Sequence, residues 1–332
     1  MSTVLPRILR AYCLAGIFLG LDAIAFSGGS AAQEADPAEL VKDIHAIFGE
    51  HHERAVHAKG VMLEATFEPA EAARGLSKAS VFANTSKATA RLSDTTGLPD
   101  IPDADPNASP HGLAIKFALQ DGSEMDVVTH SFNGFPAATA AEFGNFLKAA
   151  AASGPGVAKP TPIEKYLQAH PNALPFVTQQ NPPPESLATT TYFGVNAFTF
   201  TNGSGDKTVV RYRFVPQAGN KYLDASAAGS KGPNYLMEEI ADRAAKGPVA
   251  FDWFAQIAQP GDKPDDPSAP WPEDRKLVKL GTLTLTGMAS DQDGLSKSLL
   301  FLPNNVPDGI EPADPMIEVR SAAYPISFSE RQ

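Results

Sequence analysis

Short segments rich in β-branched and aromatic residues recur along the chain, separated by turn-forming residues, and this pattern is typical of an antiparallel sheet. Six segments are predicted to be strands: Val61 to Phe67, Ala114 to Leu119, Met125 to Thr129, Tyr192 to Thr201, Val209 to Pro216 and Val278 to Thr286. The run Asn202-Gly203-Ser204-Gly205-Asp206 joins two of them and predicts a hairpin turn. An antiparallel β-barrel is the most economical arrangement of such strands.

Four other segments have the apolar spacing of helices, and several carry acidic residues in the first turn, where the helix dipole favours them. They are Pro37 to His51, Ala140 to Ala151, Pro162 to His170 and Leu236 to Lys246. Asp36 before Pro37 predicts an N-cap followed by proline at the first helical position. The predicted fold class is therefore α+β, an antiparallel β-barrel core with peripheral helices.

The size and charge of the chain limit its organisation and its partners. Its 332 residues, 43% of them hydrophobic, can bury a sizeable core. No long linker divides it, so residues 33–332 are expected to form a single domain. The formal net charge is −11, and no basic cluster stands out in the sequence. Since phosphate binding requires such a cluster, nucleic acid is not an expected partner.

Residues 1–32 have the features of a secretory signal peptide. Two arginines precede a run from Ala11 to Phe26 that is apolar apart from one aspartate, and Ser30-Ala31-Ala32 offers small residues for cleavage. The alternative is an uncleaved membrane anchor, but the run is shorter than the ~20 residues needed to span a bilayer. We expect a periplasmic or secreted protein, anchored to the membrane if the segment is retained. The only cysteine, Cys13, lies in this segment, so the mature chain would have no thiol.

An arginine and a tyrosine lie four residues apart in the run Arg320-Ser-Ala-Ala-Tyr324. On a helix this spacing brings both side chains to one face. A phenol titrates near pH ~10, and an adjacent guanidinium favours the phenolate, an anionic ligand for Fe(III). Pro325 disfavours helical geometry at the tyrosine, so a helix is expected to be kinked or irregular there.

Further polar segments occur upstream of this pair. The first is Arg54-Ala55-Val56-His57-Ala58-Lys59-Gly60, followed by Ala90-Arg91-Leu92-Ser93 and by His111-Gly112-Leu113-Ala114-Ile115-Lys116-Phe117. Asp265 to Pro272, Val306 to Glu311, and finally Arg320, Tyr324 and Arg331 come later. In this order, and over most of the chain, the segments resemble the haem catalase superfamily. The short chain is most similar to its catalase-related peroxidase branch.

The resemblance implies a role for each of these polar residues. Tyr324 would be the axial ligand of the haem iron, supported by Arg320. His57 would be the distal catalytic histidine, with Ser93 hydrogen-bonded to it. The implied cofactor-binding arginines are Arg54, Arg91 and Arg331, the last two pairing with haem propionates. Phe143 falls where catalases stack a phenylalanine on the porphyrin, but it fits an ordinary core residue of an amphipathic helix equally well.

The distal asparagine of catalases has no simple counterpart here. Counting along the chain puts His130 at that position, and Asn133 follows three residues later. A small shift of the loop would let Asn133 polarise peroxide beside His57, so we expect Asn133 to take this role, with His130 as the alternative.

The implied function is that of a haem-dependent peroxidase that reduces hydrogen peroxide or organic hydroperoxides with an organic donor and has weak catalase activity. The cofactor would be haem b, because the sequence has no C-x-x-C-H attachment motif. Two alternatives stay open: an allene oxide synthase-like enzyme that rearranges fatty-acid hydroperoxides, and a non-enzymatic exported haem-binding protein. A homo-oligomer is also compatible with the sequence.

Overall fold

The structure, a computed structural model, describes residues 35–332 and contains nine strands. Their bounds are β1 Gly60–Pro69, β2 Ser86–Ser93, β3 Gly112–Ala118, β4 Glu124–His130, β5 Tyr192–Thr201, β6 Lys207–Pro216, β7 Val249–Ile257, β8 Leu277–Met288 and β9 Ile310–Pro312. The first eight form a closed antiparallel barrel in the order β4-β3-β2-β1-β8-β7-β6-β5. The barrel closes where His130 of β4 pairs with Phe193 of β5, and β9 adds to the other end of β5. The predicted barrel is confirmed.

All six predicted strands are present with similar bounds, and the predicted hairpin turn joins β5 to β6. Two further barrel strands, β2 and β7, were not predicted from the strand pattern. The inward positions of β2 carry small residues such as Ala88 and Ala90, which give a weak β signal. β7 has clear alternation, with Val249, Phe251 and Trp253 all buried, so the sequence did contain a signal for it.

Aromatic side chains fill the barrel around Trp253, which is fully buried. Its ring stacks on Phe117 at 5.6 Å and on Phe214 at 5.2 Å, and meets Phe67 and Tyr212 edge-on. These rings come from strands on several sides of the barrel, so the interior is a packed core.

Nine α-helices lie outside the barrel in the described part of the chain. Their bounds are α1 Pro37–Phe48, α2 Glu71–Leu76, α3 Ala140–Ala151, α4 Pro162–Ala169, α5 Leu174–Thr178, α6 Ala225–Gly229, α7 Tyr235–Lys246, α8 Gln292–Ser298 and α9 Met316–Ser329. The four predicted helices correspond to α1, α3, α4 and α7. α1 begins as predicted, with Asp36 accepting a hydrogen bond from the backbone N–H of Ala38, and it ends at Phe48 because Gly49 turns the chain at φ +82°.

Helices α1, α3 and α9 pack together beside the barrel. Leu40 and Ile44 of α1 and Leu147 of α3 are buried, and Val319 and Ala323 of α9 pack against them. α9 runs through Pro325, whose missing N–H leaves the preceding turn without one backbone hydrogen bond. Arg320 and Tyr324 lie in the same helix, as their spacing predicted, and the helical assignment is not interrupted at Tyr324, where an irregularity was expected.

None of the helices in residues 35–332 has the length and apolarity required to cross a bilayer. The predicted signal peptide at residues 1–32 lies outside the described residues.

Candidate active site

A cavity of about 1070 Å³ lies between the barrel and the helices α1, α3 and α9. This volume is slightly above the range of ~300–1,000 Å³ that is typical of ligand sites. Most side chains on its wall are apolar, and the polar ones include most of the residues that the sequence singled out. They are Arg54, His57, Arg91, Ser93, His130, Arg320, Tyr324 and Arg331.

His57 lies in the segment between α1 and β1, with its backbone in the left-handed region at φ +57°. Its backbone N–H donates to the carbonyl of Thr95 at 3.0 Å, which fixes this unusual conformation. Its Nδ1 lies 3.0 Å from Ser93 Oγ, as the resemblance implies. Because Nδ1 is engaged by the serine, Nε2 is the nitrogen that is free to exchange a proton in the cavity.

The ends of three neighbouring strands bring the distal residues together. In the sheet register Ser93 pairs with Gly112, and Gly112 pairs with His130. A Cβ on Gly112 would lie 2.7 Å from both His57 Nδ1 and Ser93 Oγ. The close contact between His57 and Ser93 therefore requires a glycine at this position of β3.

Burial lowers the pKa of His57 to about 3, and the nearby Arg91 and His130 add to the effect. The imidazole is therefore neutral at physiological pH. A neutral imidazole can accept a proton and return it, which is what a general acid–base group requires.

His130 lines the cavity, whereas Asn133 does not. The Asn133 side-chain amide donates to Glu273 Oε1 at 3.1 Å, and this contact turns it away from His57. His130 Nδ1 accepts a hydrogen bond from the backbone N–H of Phe132 at 3.4 Å, so Nε2 carries the proton. Nε2 is buried and has no partner within residues 35–332. Of the two residues that the sequence offers for the distal role, His130 therefore lines the cavity together with His57, and Asn133 does not.

On α9, near the C-terminus, two nitrogens of Arg320 donate to the hydroxyl oxygen of Tyr324, Nη2 at 2.6 Å and Nε at 3.2 Å. Arg320 Nη1 also donates to Asn196 Oδ1, and the Asn196 amide donates to Asp314 Oδ2 at 2.6 Å. The guanidinium is therefore held at three of its nitrogens and fixed against the phenol.

The sequence analysis missed Asn196 and Asp314. One signal was present for the first: Asn196 is a buried amide inside an otherwise apolar and aromatic strand, β5, at a place where the strand register shifts. A buried polar residue at an irregular point of a strand usually has a specific partner.

Three arginines converge on the cavity without a salt bridge to any carboxylate of the described residues. Arg54 donates to Ser296 Oγ and the Leu299 carbonyl, and Arg91 and Arg331 donate to backbone carbonyls. Burial lowers the pKa of Arg54 to about 8, and repulsion from the other two arginines contributes. Burial likewise lowers the pKa of Arg91 to about 10. Such a cluster of buried positive charges favours a ligand that carries negative charge.

Phe143 of α3 lies on the wall of the same cavity and also packs among the side chains between α1, α3 and α9. Its ring is 4.8 Å from that of Phe135 and stacks on Phe146 at 6.3 Å. This position is compatible with both interpretations of the residue, a ring against the porphyrin and a member of the helix core.

Comparison with known proteins gives the family of the chain. The sequence model of the catalase family matches residues 37–331. A catalase-related peroxidase of Mycolicibacterium paratuberculosis is 38% identical over 283 residues, which cover 84% of this chain and 88% of the relative. One of Synechococcus elongatus is 32% identical over 310 residues, covering 91% of each chain.

Larger catalases are similar over part of their length. Mouse catalase is 26% identical over 298 residues, which cover 84% of this chain but only 56% of the mouse protein. The solved structure of a bacterial catalase superposes with a TM-score of 0.73 at 18% identity, covering 100% of this chain and 70% of that one, so it shares the fold. The match to the family model and the two peroxidase relatives show that the chain belongs to the catalase family.

Proposed function

We propose that this chain is a haem-dependent peroxidase. The observation that carries the proposal is that one cavity holds a neutral His57 bonded to Ser93, an arginine-bound Tyr324 and three arginines that have no carboxylate partner among residues 35–332. The catalase family is haem-dependent. The two relatives that match this chain over most of their length are both described as catalase-related peroxidases.

The residues present fit a haem group. Tyr324 would supply the oxygen ligand of the haem iron, and the Arg320 guanidinium would stabilise its phenolate. Arg54, Arg91 and Arg331 would hold the propionates. Bound haem would supply an iron centre that accepts the oxidising equivalents of the peroxide. Since no attachment motif is present, haem b is the proposed form.

The protein's own part in the reaction is proton transfer on the distal side. His57 Nε2 takes the proton from the near oxygen of the peroxide and delivers it to the far oxygen, so that water or an alcohol leaves instead of its anion. The unpartnered Nε2–H of His130 is a fixed donor in the same cavity, and we propose that it hydrogen-bonds to the peroxide as the bond breaks. Ser93 keeps the His57 ring in position.

The size and apolar wall of the cavity bear on the substrate. A cavity of about 1070 Å³ accommodates more than hydrogen peroxide next to a cofactor, and this favours organic hydroperoxides as additional substrates. An organic electron donor would supply the electrons that complete the peroxidase reaction. The same apolar volume keeps the rearrangement of fatty-acid hydroperoxides as the second candidate function.

Replacement of His57 tests the proposal. In the haem-loaded His57→Ala variant, the rate of peroxide cleavage followed by stopped-flow absorption should fall by about 10²–10⁴-fold, with haem content unchanged. His51→Ala, at an exposed histidine outside the cavity, is the control and should keep the wild-type rate. An unaltered rate in His57→Ala would support a haem carrier instead. Consumption of a fatty-acid hydroperoxide without any donor would favour the rearrangement.

A further inference from the structure

A buried histidine–aspartate pair lies beside the distal side of the cavity and has no part in the proposed reaction. His111 and Asp94 are only 2% and 0% exposed, and His111 Nδ1 lies 2.9 Å from Asp94 Oδ1. Asp94 directly follows Ser93, the last residue of β2, and His111 directly precedes Gly112, the first residue of β3, which pairs with Ser93. A carboxylate accepts hydrogen bonds only, so the proton of this contact is on Nδ1, and Nε2 is the nitrogen that points away from the aspartate.

A serine hydroxyl faces this second nitrogen. Ser109 Oγ lies 3.5 Å from His111 Nε2, at the long limit of a hydrogen bond, and Ser109 is on the wall of the cavity. The order of groups is therefore a carboxylate, a histidine and a hydroxyl that opens on a large cavity. This is the arrangement in which an aspartate orients a histidine base and the base activates a serine nucleophile. Such contacts are often long in a protein without substrate and shorten when it binds.

The surroundings of Ser109 suit an acyl substrate. Within the described residues, its backbone N–H makes no hydrogen bond, and the N–H of the nucleophile itself is one of the donors that stabilise an acyl oxyanion. The wall of the same cavity includes the apolar residues Ala104, Pro106, Leu223 and Ala228. An apolar acyl chain would therefore find a matching surface in the cavity that Ser109 lines.

We propose that Ser109, His111 and Asp94 form a second catalytic site, which hydrolyses esters that have an apolar acyl group. Ser109 Oγ attacks the acyl carbon while its proton moves to His111 Nε2. The bond to the alkoxy oxygen breaks, and the alcohol leaves with the proton from His111. Water then attacks the acyl-serine, giving its proton to His111. The acid departs as Ser109 regains the proton, and no electrons are transferred. Asp94 acts as a positioning residue for the histidine.

A purely structural role is the competing explanation, because a buried His–Asp hydrogen bond would also fasten the ends of β2 and β3 together. The two roles differ in the reactivity of Ser109. A structural serine hydroxyl is inert, whereas a nucleophile reacts with a fluorophosphonate and turns over an activated ester.

The experiment uses the haem-loaded full chain, a fluorophosphonate probe and p-nitrophenyl octanoate. We expect one probe per chain at Ser109 by peptide mass spectrometry, and we expect Ser109→Ala to abolish labelling and bring ester hydrolysis to the uncatalysed rate. Ser109→Ala removes one half-buried hydroxyl, so its fold and haem spectrum should be unchanged. Ser327→Ala is the matched control, since Ser327 lines the same cavity but accepts a hydrogen bond from the Ala55 N–H and makes none with a histidine among residues 35–332.

Asp94→Asn gives a second readout, because it should slow labelling by at least about 10²-fold while Ser109 is still present. Absence of labelling in a protein with a normal haem spectrum, or equal labelling and hydrolysis in Ser109→Ala and the unmodified chain, would overturn the proposal.

Discussion

The contact between β3 and the distal histidine makes Gly112→Ala the sharpest test of the site geometry. The added Cβ would lie 2.7 Å from His57 Nδ1 and from Ser93 Oγ, whereas non-bonded heavy atoms prefer at least ~3.5 Å. Each side chain would therefore have to move by about 0.8 Å, and their 3.0 Å hydrogen bond could not survive in its present geometry.

A misplacement of about 1 Å in a catalytic group costs about 10²-fold in rate. We therefore expect Gly112→Ala to slow peroxide cleavage by about 10²-fold in a stopped-flow assay. Overpacking should lower the free energy of unfolding by about 1–3 kcal/mol in urea titrations. Haem content should be retained, because Arg320 and Tyr324 lie on α9 and do not touch Gly112.

Gly287→Ala on β8 is the matched control. A Cβ there meets no atom within 4 Å, so the rate and the stability should stay close to those of the unmodified chain. If Gly112→Ala reacted with peroxide at the unmodified rate while its fold was intact, the close contact between His57 and Ser93 would have no part in catalysis.

Three further predictions concern individual side chains. Tyr324→Phe should lose most of its haem, measured as haem per chain, because the phenolate is removed; full occupancy would exclude Tyr324 as the ligand. His130→Ala should slow peroxide cleavage by about 10–10³-fold and Asn133→Ala should not, since only His130 has a free donor in the cavity; the reverse pattern would restore the Asn133 assignment. Burial lowers the pKa of His57 and His130 from 6.5 to about 3, so below pH ~6.5 the unfolded chain binds more protons than the folded chain and stability is lost as pH falls. In denaturant titrations, the free energy of unfolding should fall by up to about 1.4 kcal/mol per pH unit for each histidine. His130→Asn should reduce this slope.

The sequence predicted most of the barrel because its strands carry bulky alternating residues, as in Tyr192 to Thr201. The helical spacing of Arg320 and Tyr324 predicted their contact, whereas only the resemblance to the catalases implied that His57 and Ser93 belong to the same site.

The remaining features depend on contacts between distant parts of the chain. Asn133 is turned away by Glu273, which lies 140 residues later, and no local pattern encodes that pairing. Asn196 and Asp314 meet across 118 residues for the same reason. The triad-like contact of Ser109 with His111 depends on a loop conformation that spacing alone could not supply.

The contact between His57 and Ser93 and the contact between Arg320 and Asn196 differ in how far apart their residues lie along the chain. His57 and Ser93 are separated by 36 residues and are linked through adjacent hairpin strands, whereas Arg320 meets Asn196 across 124 residues. Loop closure for the second contact has the higher entropic cost, so we expect β1 to β4 to assemble first and α9 to dock last. A folding intermediate would then have an ordered distal wall but no proximal ligand, and haem could be captured only at the end of folding. Pulsed hydrogen exchange, with early protection in β1 to β4 and late protection in α9, would reveal this order.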